Sequence, residues 1–217
     1  METKRSIVFD LDGTLLNGDS TTAWMVARIR RSWLRTLLSV LASPVAALLM
    51  PFSRRWGASA FLWVASVGQD ETALRTSFRA FAAQVHGGGG AVAWRPIGID
   101  VLHGHIAGGE RVVVATAAPV WLAEALFERL SLRVEIVGSI LSPFAGGWVG
   151  RRHCRNEVKC SALSEAGHGE RWFIAYSDSA DDLPLFARAD RARLINGSPA
   201  TRARLAKGGV DVEPVRW

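Results

Sequence analysis

Asp10-Leu11-Asp12-Gly13-Thr14 follows directly on the apolar run Ser6-Ile7-Val8-Phe9. Such a run reads as a short strand buried on both faces, and strands of that kind belong to parallel sheets covered by helices. Two carboxylates placed at the end of a buried strand are costly without compensating charge. The pair therefore restricts the chain to folds in which distant segments converge on this strand end. Gly13 permits the sharp turn that leaves it. The spacing suits a nucleophilic carboxylate followed by one that moves protons.

The rest of the chain supplies the expected partners. Val112–Ala115 ending at Thr116, Val134–Val137, Trp172–Tyr176 and, more weakly, Arg193–Ile195 read as further strands. Helical patterns at Trp121–Leu130, Val158–Ala166 and Asp182–Arg188 lie between them. This alternation predicts an α/β fold with a Rossmann-like parallel sheet. Ligands sit at the carboxyl ends of such strands, so Asp10, Thr116 and Asp178 are expected in one pocket.

Nearly a hundred residues separate the first strand from Val112, too many for a connecting loop. Residues 17–94 are therefore expected to form an inserted helical cap on a catalytic core of residues 1–16 and 95–217. Gly87 to Gly90 read equally as an exit hinge or as a plain loop. Within the insertion, residues 36–52 carry no charge; Arg28, Arg30, Arg31 and Arg35 precede them, and Arg54 and Arg55 follow. Trp24, Trp33, Trp56 and Trp63 bracket the stretch, and Pro44 interrupts it. A membrane span needs about 20 apolar residues. One crossing would also strand Asp10 on the opposite side from Thr116 and Asp178. The segment is thus expected to dip into the membrane and return, or to lie in its interface, anchored by cations and tryptophans. A helical cap packed on itself is the alternative.

The chain has 217 residues, 49% of them hydrophobic, a net charge of +6 and a pI near 10.3. An ordered basic protein of this size is expected to meet an anionic partner. No readout motif supports nucleic acid as that partner. Cys154 and Cys160 make no disulfide framework and fit a reducing compartment. The first fifteen residues read as strand and site loop, so no signal peptide is expected. His103 and His105 have period-2 spacing in a helical or irregular stretch, which makes a metal site there an unfavourable reading. His86, His153 and His168 show no evident partner, and Arg202, Arg204 and Lys207 read as a solvated helix face.

Four segments, in order, carry a resemblance. They are Asp10-Leu11-Asp12-Gly13-Thr14, the strand ending in Thr116-Ala117-Ala118-Pro119, Lys159, and Tyr176-Ser177-Asp178-Ser179-Ala180-Asp181-Asp182. The chain resembles the haloacid dehalogenase-like phosphatases, with the insertion where that family places its type 1 cap. The resemblance implies that Asp10 is the nucleophile, forming an aspartyl-phosphate, and that Asp12 is the acid and base. It implies that Thr116, Ala117 and Lys159 hold the phosphoryl group. Asp10, the Asp12 carbonyl and Asp178 would ligate Mg²⁺, with Asp182 as a further ligand or just behind them. A second aspartate two residues after the nucleophile implies phosphoryl chemistry rather than dehalogenation.

A narrower resemblance is to the phosphatidylglycerophosphatase C group. It rests on the arginine-flanked apolar cap with Phe61-Leu62-Trp63 and Gly68, on Gly146-Gly147-Trp148-Val149 leading to Cys154, and on Tyr176 to Pro184. Ala118 and Asn156 depart from it, where serine and glycine are expected. It implies a phospholipid phosphate substrate, an anionic membrane surface as partner, and the cytoplasmic face of a bacterial inner membrane as location. The alternatives are a cytoplasmic phosphatase of a soluble phosphomonoester such as phosphoserine, and an inactive membrane-anchored binding protein. The sequence gives no oligomeric state.

Overall fold

The computed structural model describes residues 5–49, 54–88 and 90–217. Its centre is a seven-stranded sheet. The strands are β1 (Ile7–Phe9), β4 (Val112–Pro119), β5 (Glu135–Phe144), β6 (Gly147–Arg152), β7 (Trp172–Ser177), β8 (Ala189–Ile195) and β9 (Glu213–Val215), in the order β6-β5-β4-β1-β7-β8-β9. Every neighbouring pair is parallel except β5–β6. From β1 the chain first builds outward through β4 and β5, then returns to the other side of β1 for β7 and β8. Loops leaving β1 and β7 therefore diverge around a crevice, where α/β folds of this type bind ligands.

The central strands are apolar because both faces are covered. Ile7 and Phe9 face one buried cluster with Val112, Val114, Ile174 and Tyr176. Val8 faces the other with Val113, Ala115 and Ala175. Phe9 and Tyr176 sit opposite each other on β1 and β7, and their rings stack with centroids 4.3 Å apart. The Tyr176 hydroxyl lies 2.9 Å from His105 Nε2, whose Nδ1 meets Glu110. His105 is thus on a helix, α5 (Pro96–Ala107), in a polar link beneath the site.

The expected strands are present, but several are longer and four (β6, β9 and two strands of two residues each) were not anticipated. Val134–Val137 is only the start of β5, which runs on to Phe144 and turns into β6. Thr116, expected at the end of its strand, lies inside β4, which runs on to Pro119. Two-residue strands β2 (Leu16–Asn17) and β3 (Ala93–Trp94) pair antiparallel. They join the two ends of the helical excursion, which comprises α1 (Ser20–Arg30), α2 (Trp33–Leu49), α3 (Arg54–Ser66) and α4 (Glu71–His86). The helices α6 (Val120–Glu128), α7 (Glu157–Leu163), α8 (Leu183–Ala187) and α9 (Pro199–Lys207) complete the chain.

The excursion is held to the sheet by the β5–β6 hairpin. Trp63 Nε1 on α3 donates to Phe144 O (3.0 Å), Trp148 N donates to Ser66 Oγ (2.9 Å), and Trp148 Nε1 donates to Gln69 O (2.9 Å). Gly68 N donates to Gly146 O (2.8 Å). The Trp63 and Gly147 segments, far apart in sequence, are thus two sides of one contact. A Cβ on Gly147 would lie 2.7 Å from Trp63 Cδ1.

His168 and His153 prove to have partners. His168 is buried, with Nδ1 2.8 Å from Ser6 Oγ and Nε2 3.1 Å from Glu135. His153 Nδ1 lies 3.4 Å from Ser139 Oγ. Both partners come from other elements, which is why local sequence does not show them.

Replacing Gly147 by alanine forces the rigid, hydrogen-bonded indole of Trp63 to move. The expected cost is about 1–3 kcal/mol. At this chain length that is a fall of roughly 2–4 °C in Tm per kcal/mol, measurable by thermal unfolding.

Candidate active site

Asp10 is the first residue after β1, and its backbone N–H donates to Tyr176 O (2.9 Å). That bond continues the sheet pairing one step and aims the carboxylate into a cavity of about 330 Å³ at the strand ends. Asp10, Asp12, Thr116, Ala117, Lys159, Asp178 and Asp182 all line this cavity. The structure therefore brings together every residue that the sequence nominates.

Lys159 is the centre of the arrangement. Only 2% exposed, it enters from α7, and its Nζ donates to Asp10 Oδ1 and Asp182 Oδ2, each at 2.8 Å. Burial alone would lower the lysine's pKa. The two carboxylates outweigh it and raise the pKa, so the ammonium is retained. Asp182 Oδ2 also accepts from Ser177 Oγ (2.7 Å). Of the two roles the sequence allowed for Asp182, this engagement favours the one behind the metal ligands, as the partner of Lys159.

The Asp12 carboxylate sits against the start of α1, where Ser20 N donates to its Oδ1 (2.8 Å). A backbone N–H at a helix N-terminus favours the ionised form. Burial, reinforced by neighbouring Asp19, overrides it and raises Asp12 to about 7. A carboxyl group that still holds its proton near neutrality can protonate a leaving group. Asp10 is likewise pushed upward by burial, against the pull of Lys159.

Thr14 links the two loops across the crevice. Its hydroxyl accepts from Asp178 N (3.0 Å) and lies 3.4 Å from both Asp10 Oδ2 and Asp178 Oδ1. This organising role is assigned by the structure, although the motif that holds Thr14 was evident. Gly13 has φ +82°, and a Cβ there would sit 2.3 Å from Asp178 Oδ2. Asp178 occupies space that only glycine leaves free.

On the opposite wall, β4 loses register with β5 between Ala115 and Pro119. The bulge takes Thr116 and Ala117 out of regular strand pairing. Thr116 Oγ1 accepts from Ala118 N (3.0 Å), and Ser139 Oγ donates to Ala117 O (2.6 Å), which fixes the turn. Ala118 is buried, so its methyl lies away from solvent. Asn156, just before α7, has φ 53°. With ψ at −132° it lies outside the αL well, in a conformation that glycine adopts at least cost, which explains why glycine is expected there.

Asp10 and Asp178 present hard oxygen donors, and burial raises the pKa of both. Among the described residues, no group of three His, Cys, Asp or Glu side chains forms a ready-made metal site. A donor set of two carboxylates and the Asp12 carbonyl suits a cation that keeps water and phosphate oxygens in its remaining positions, as Mg²⁺ does.

The family model for haloacid dehalogenase-like hydrolases matches residues 7–187. The chain belongs to that family. Protein CicA of Caulobacter vibrioides is 31% identical to this hydrolase over 211 residues, covering 89% of this chain and 88% of its own. Solved structures share the fold at lower identity. A protein of unknown function from Bordetella pertussis Tohama I aligns with TM-score 0.71 at 21% identity, covering 97% of this chain and 98% of that one. A substrate-bound phosphoserine phosphatase aligns with TM-score 0.60 at 14% identity, covering 99% and 94%. The hydrolase thus has the family's sheet, and its carboxylate pair and buried lysine are equipped for phosphoric monoesters.

The raised Asp12 pKa has a thermodynamic signature. The unfolded chain releases this proton near 3.8 and the folded chain near 7, so the folded state binds more protons between those values. Stability contributed by this group is lost as pH rises through that window. Asp12→Asn keeps an acceptor for Ser20 and removes the titration. Its stability relative to wild type is expected to rise from about pH 4 to about pH 8, as read from Tm at each pH.

Proposed function

We propose that this hydrolase is a Mg²⁺-dependent phosphomonoesterase acting on a membrane lipid phosphate, phosphatidylglycerophosphate, to give phosphatidylglycerol. In this reading an Asp10 oxygen attacks phosphorus while the bond to the leaving oxygen breaks, and Asp12 gives that oxygen its proton. Asp12 then takes a proton from a water molecule as the water attacks the aspartyl-phosphate, releasing inorganic phosphate and free Asp10. Thr116 and the Ala117 N–H hold phosphoryl oxygens, and Lys159 offsets the charge on Asp10 and the phosphate. Asp10, Asp178 and the Asp12 carbonyl would hold Mg²⁺, which supplies charge neutralisation for the phosphoryl oxygens.

The observation that carries the lipid assignment is the surface of α2. From Trp33 to Pro44 none of its side chains is buried, and Trp33, Leu34, Leu37, Val40 and Leu41 are exposed together. Their spacing places them along one broad stripe of the helix. A water-facing apolar stripe of this kind marks an interaction surface. Arg28 and Arg35, on α1 and α2, adjoin it in sequence, and a basic neighbour to an apolar helix face suits an anionic bilayer. Among the described residues no helix is long and apolar enough to cross a membrane. An interfacial position at the cytoplasmic face of a bacterial inner membrane agrees with that. Residues 50–52 of the apolar stretch, and the side chains from Val45 to Ala58, lie outside the described residues.

The test is phosphate release from phosphatidylglycerophosphate in detergent with Mg²⁺, beside phosphoserine and an aryl phosphate. Wild type is expected to prefer the lipid, and Asp10→Asn to lose turnover on all three. Preference for phosphoserine would establish the soluble alternative. Failure on all three would leave a binding protein.

Membrane contact is tested separately by sedimentation with vesicles of phosphatidylglycerol and phosphatidylethanolamine. The double variant Leu37→Glu, Leu41→Glu is expected to bind at least about tenfold more weakly, since it removes two apolar side chains from the buried face and adds two anions. Its Tm should match wild type, because both positions are exposed.

A further inference from the structure

The catalytic cavity adjoins a second, larger one of about 670 Å³. Asp12, Asp19, Ala117, Arg155 and Asp181 line both. One wall of the second cavity carries Arg151, Arg152, His153 and Arg155, from one stretch at the end of β6 and beyond it, with Asp12, Asp19 and Asp181 on the side shared with the first cavity; Arg152 is engaged by Glu165. Arg155 stands at the junction and pairs with Asp181, which Arg204 also approaches at 3.2 Å. Arg204, on the exposed face of α9, thus reaches a carboxylate that lines both cavities. Two guanidiniums thus share one carboxylate at the junction, which Asp19 also lines. None of the chemical steps assigned to the catalytic residues uses Arg155.

The position of this wall relative to the reacting phosphate is fixed. Ser139 Oγ donates to the carbonyl of Ala117, in the phosphate-binding turn, and accepts from Cys154 N at 2.9 Å. His153 Nδ1 lies 3.4 Å from the same hydroxyl. One side chain thus fastens the basic stretch to the turn. The direction of the leaving group is also constrained, because its oxygen must meet the Asp12 carboxyl. Asp12 lies at the boundary, so the alcohol beyond that oxygen extends toward the second cavity.

We infer that the second cavity is a subsite for a non-scissile phosphodiester on the leaving alcohol, and that Arg155 is the residue that selects for it. The inference rests on the phosphomonoesterase reading and adds the chemistry that distinguishes one phosphomonoester from another. A guanidinium presents a planar fork of donors that matches phosphate oxygens, and a charge-assisted bond of this type is among the stronger polar contacts. Arg155 is a specificity residue in this scheme, and Asp181 positions it.

The experiment uses soluble substrates, so that membrane binding plays no part. Wild type, Arg155→Ala and Arg155→Lys are compared on glycerophosphoglycerol phosphate, which has the diester but no acyl chains, on glycerol 3-phosphate, which lacks the diester, and on phosphoserine, whose second anion is a carboxylate. Wild type is expected to show the highest kcat/KM on the diester-bearing substrate. Arg155→Ala should shrink its advantage over glycerol 3-phosphate by roughly tenfold or more, mainly through KM, and Arg155→Lys should restore part of it. Equal loss on all three substrates would overturn the assignment in favour of a structural role. A loss confined to phosphoserine would overturn the diester in favour of a carboxylate. A wild-type enzyme without preference would remove the subsite while leaving the phosphatase reading intact. Absence of turnover on every substrate would instead remove that reading.

Discussion

The buried ammonium of Lys159 between Asp10 and Asp182 is the contact on which the site depends. Three charged groups lie almost out of solvent, an arrangement that is unfavourable if any one of them is missing. They come from the end of β1, from α7 and from the turn after β7, so the sheet order must bring those elements together before the charges can cancel. The site and the core are therefore one construction problem. The same ammonium that pairs with Asp10 also lines the cavity at the strand ends.

Around this centre the helical excursion is attached at several places of different character, the packing of α4 on α6 among them. The β2–β3 pair closes its base, the β5–β6 hairpin grips α3 through Trp63 and Trp148, and the first turn of α1 donates to Asp12. The last of these brings the excursion into the site itself, because Ser20 N–H bears on the charge of Asp12. The outer helix α2 has the opposite character, with an apolar surface that nothing in the described chain covers. Arg35 ties it inward through a bond from Nη2 to Val67 O (3.2 Å), which leaves the stripe from Trp33 to Leu41 facing outward.

Much of this was legible from short apolar runs and from acidic residues after them. β1, β4 and β7 announced themselves because strands covered on both faces have few polar positions to confuse the pattern, and the carboxylates that line the cavity follow the ends of β1 and β7. What sequence did not show were arrangements made by pairs of distant segments. The hairpin of β5 and β6 lacks a continuous apolar run, and β9 is three residues long with Pro214 in the middle. His168, Ser139 and Arg155 take their roles from partners on other elements. Asp182 was found, but its contacts with Lys159 and Ser177 were visible only in the structure.

Gly13 has a consequence for reading other chains. The space beside its Cα is filled by the Asp178 carboxylate, so position 13 and position 178 cannot vary independently. Any side chain at 13 would displace a carboxylate that comes from the other end of the sequence. A relative that keeps both aspartates of the first loop but has lost this glycine would carry the outward marks of an enzyme while its second loop stood elsewhere. One missing hydrogen-sized gap would separate a working member from a lookalike.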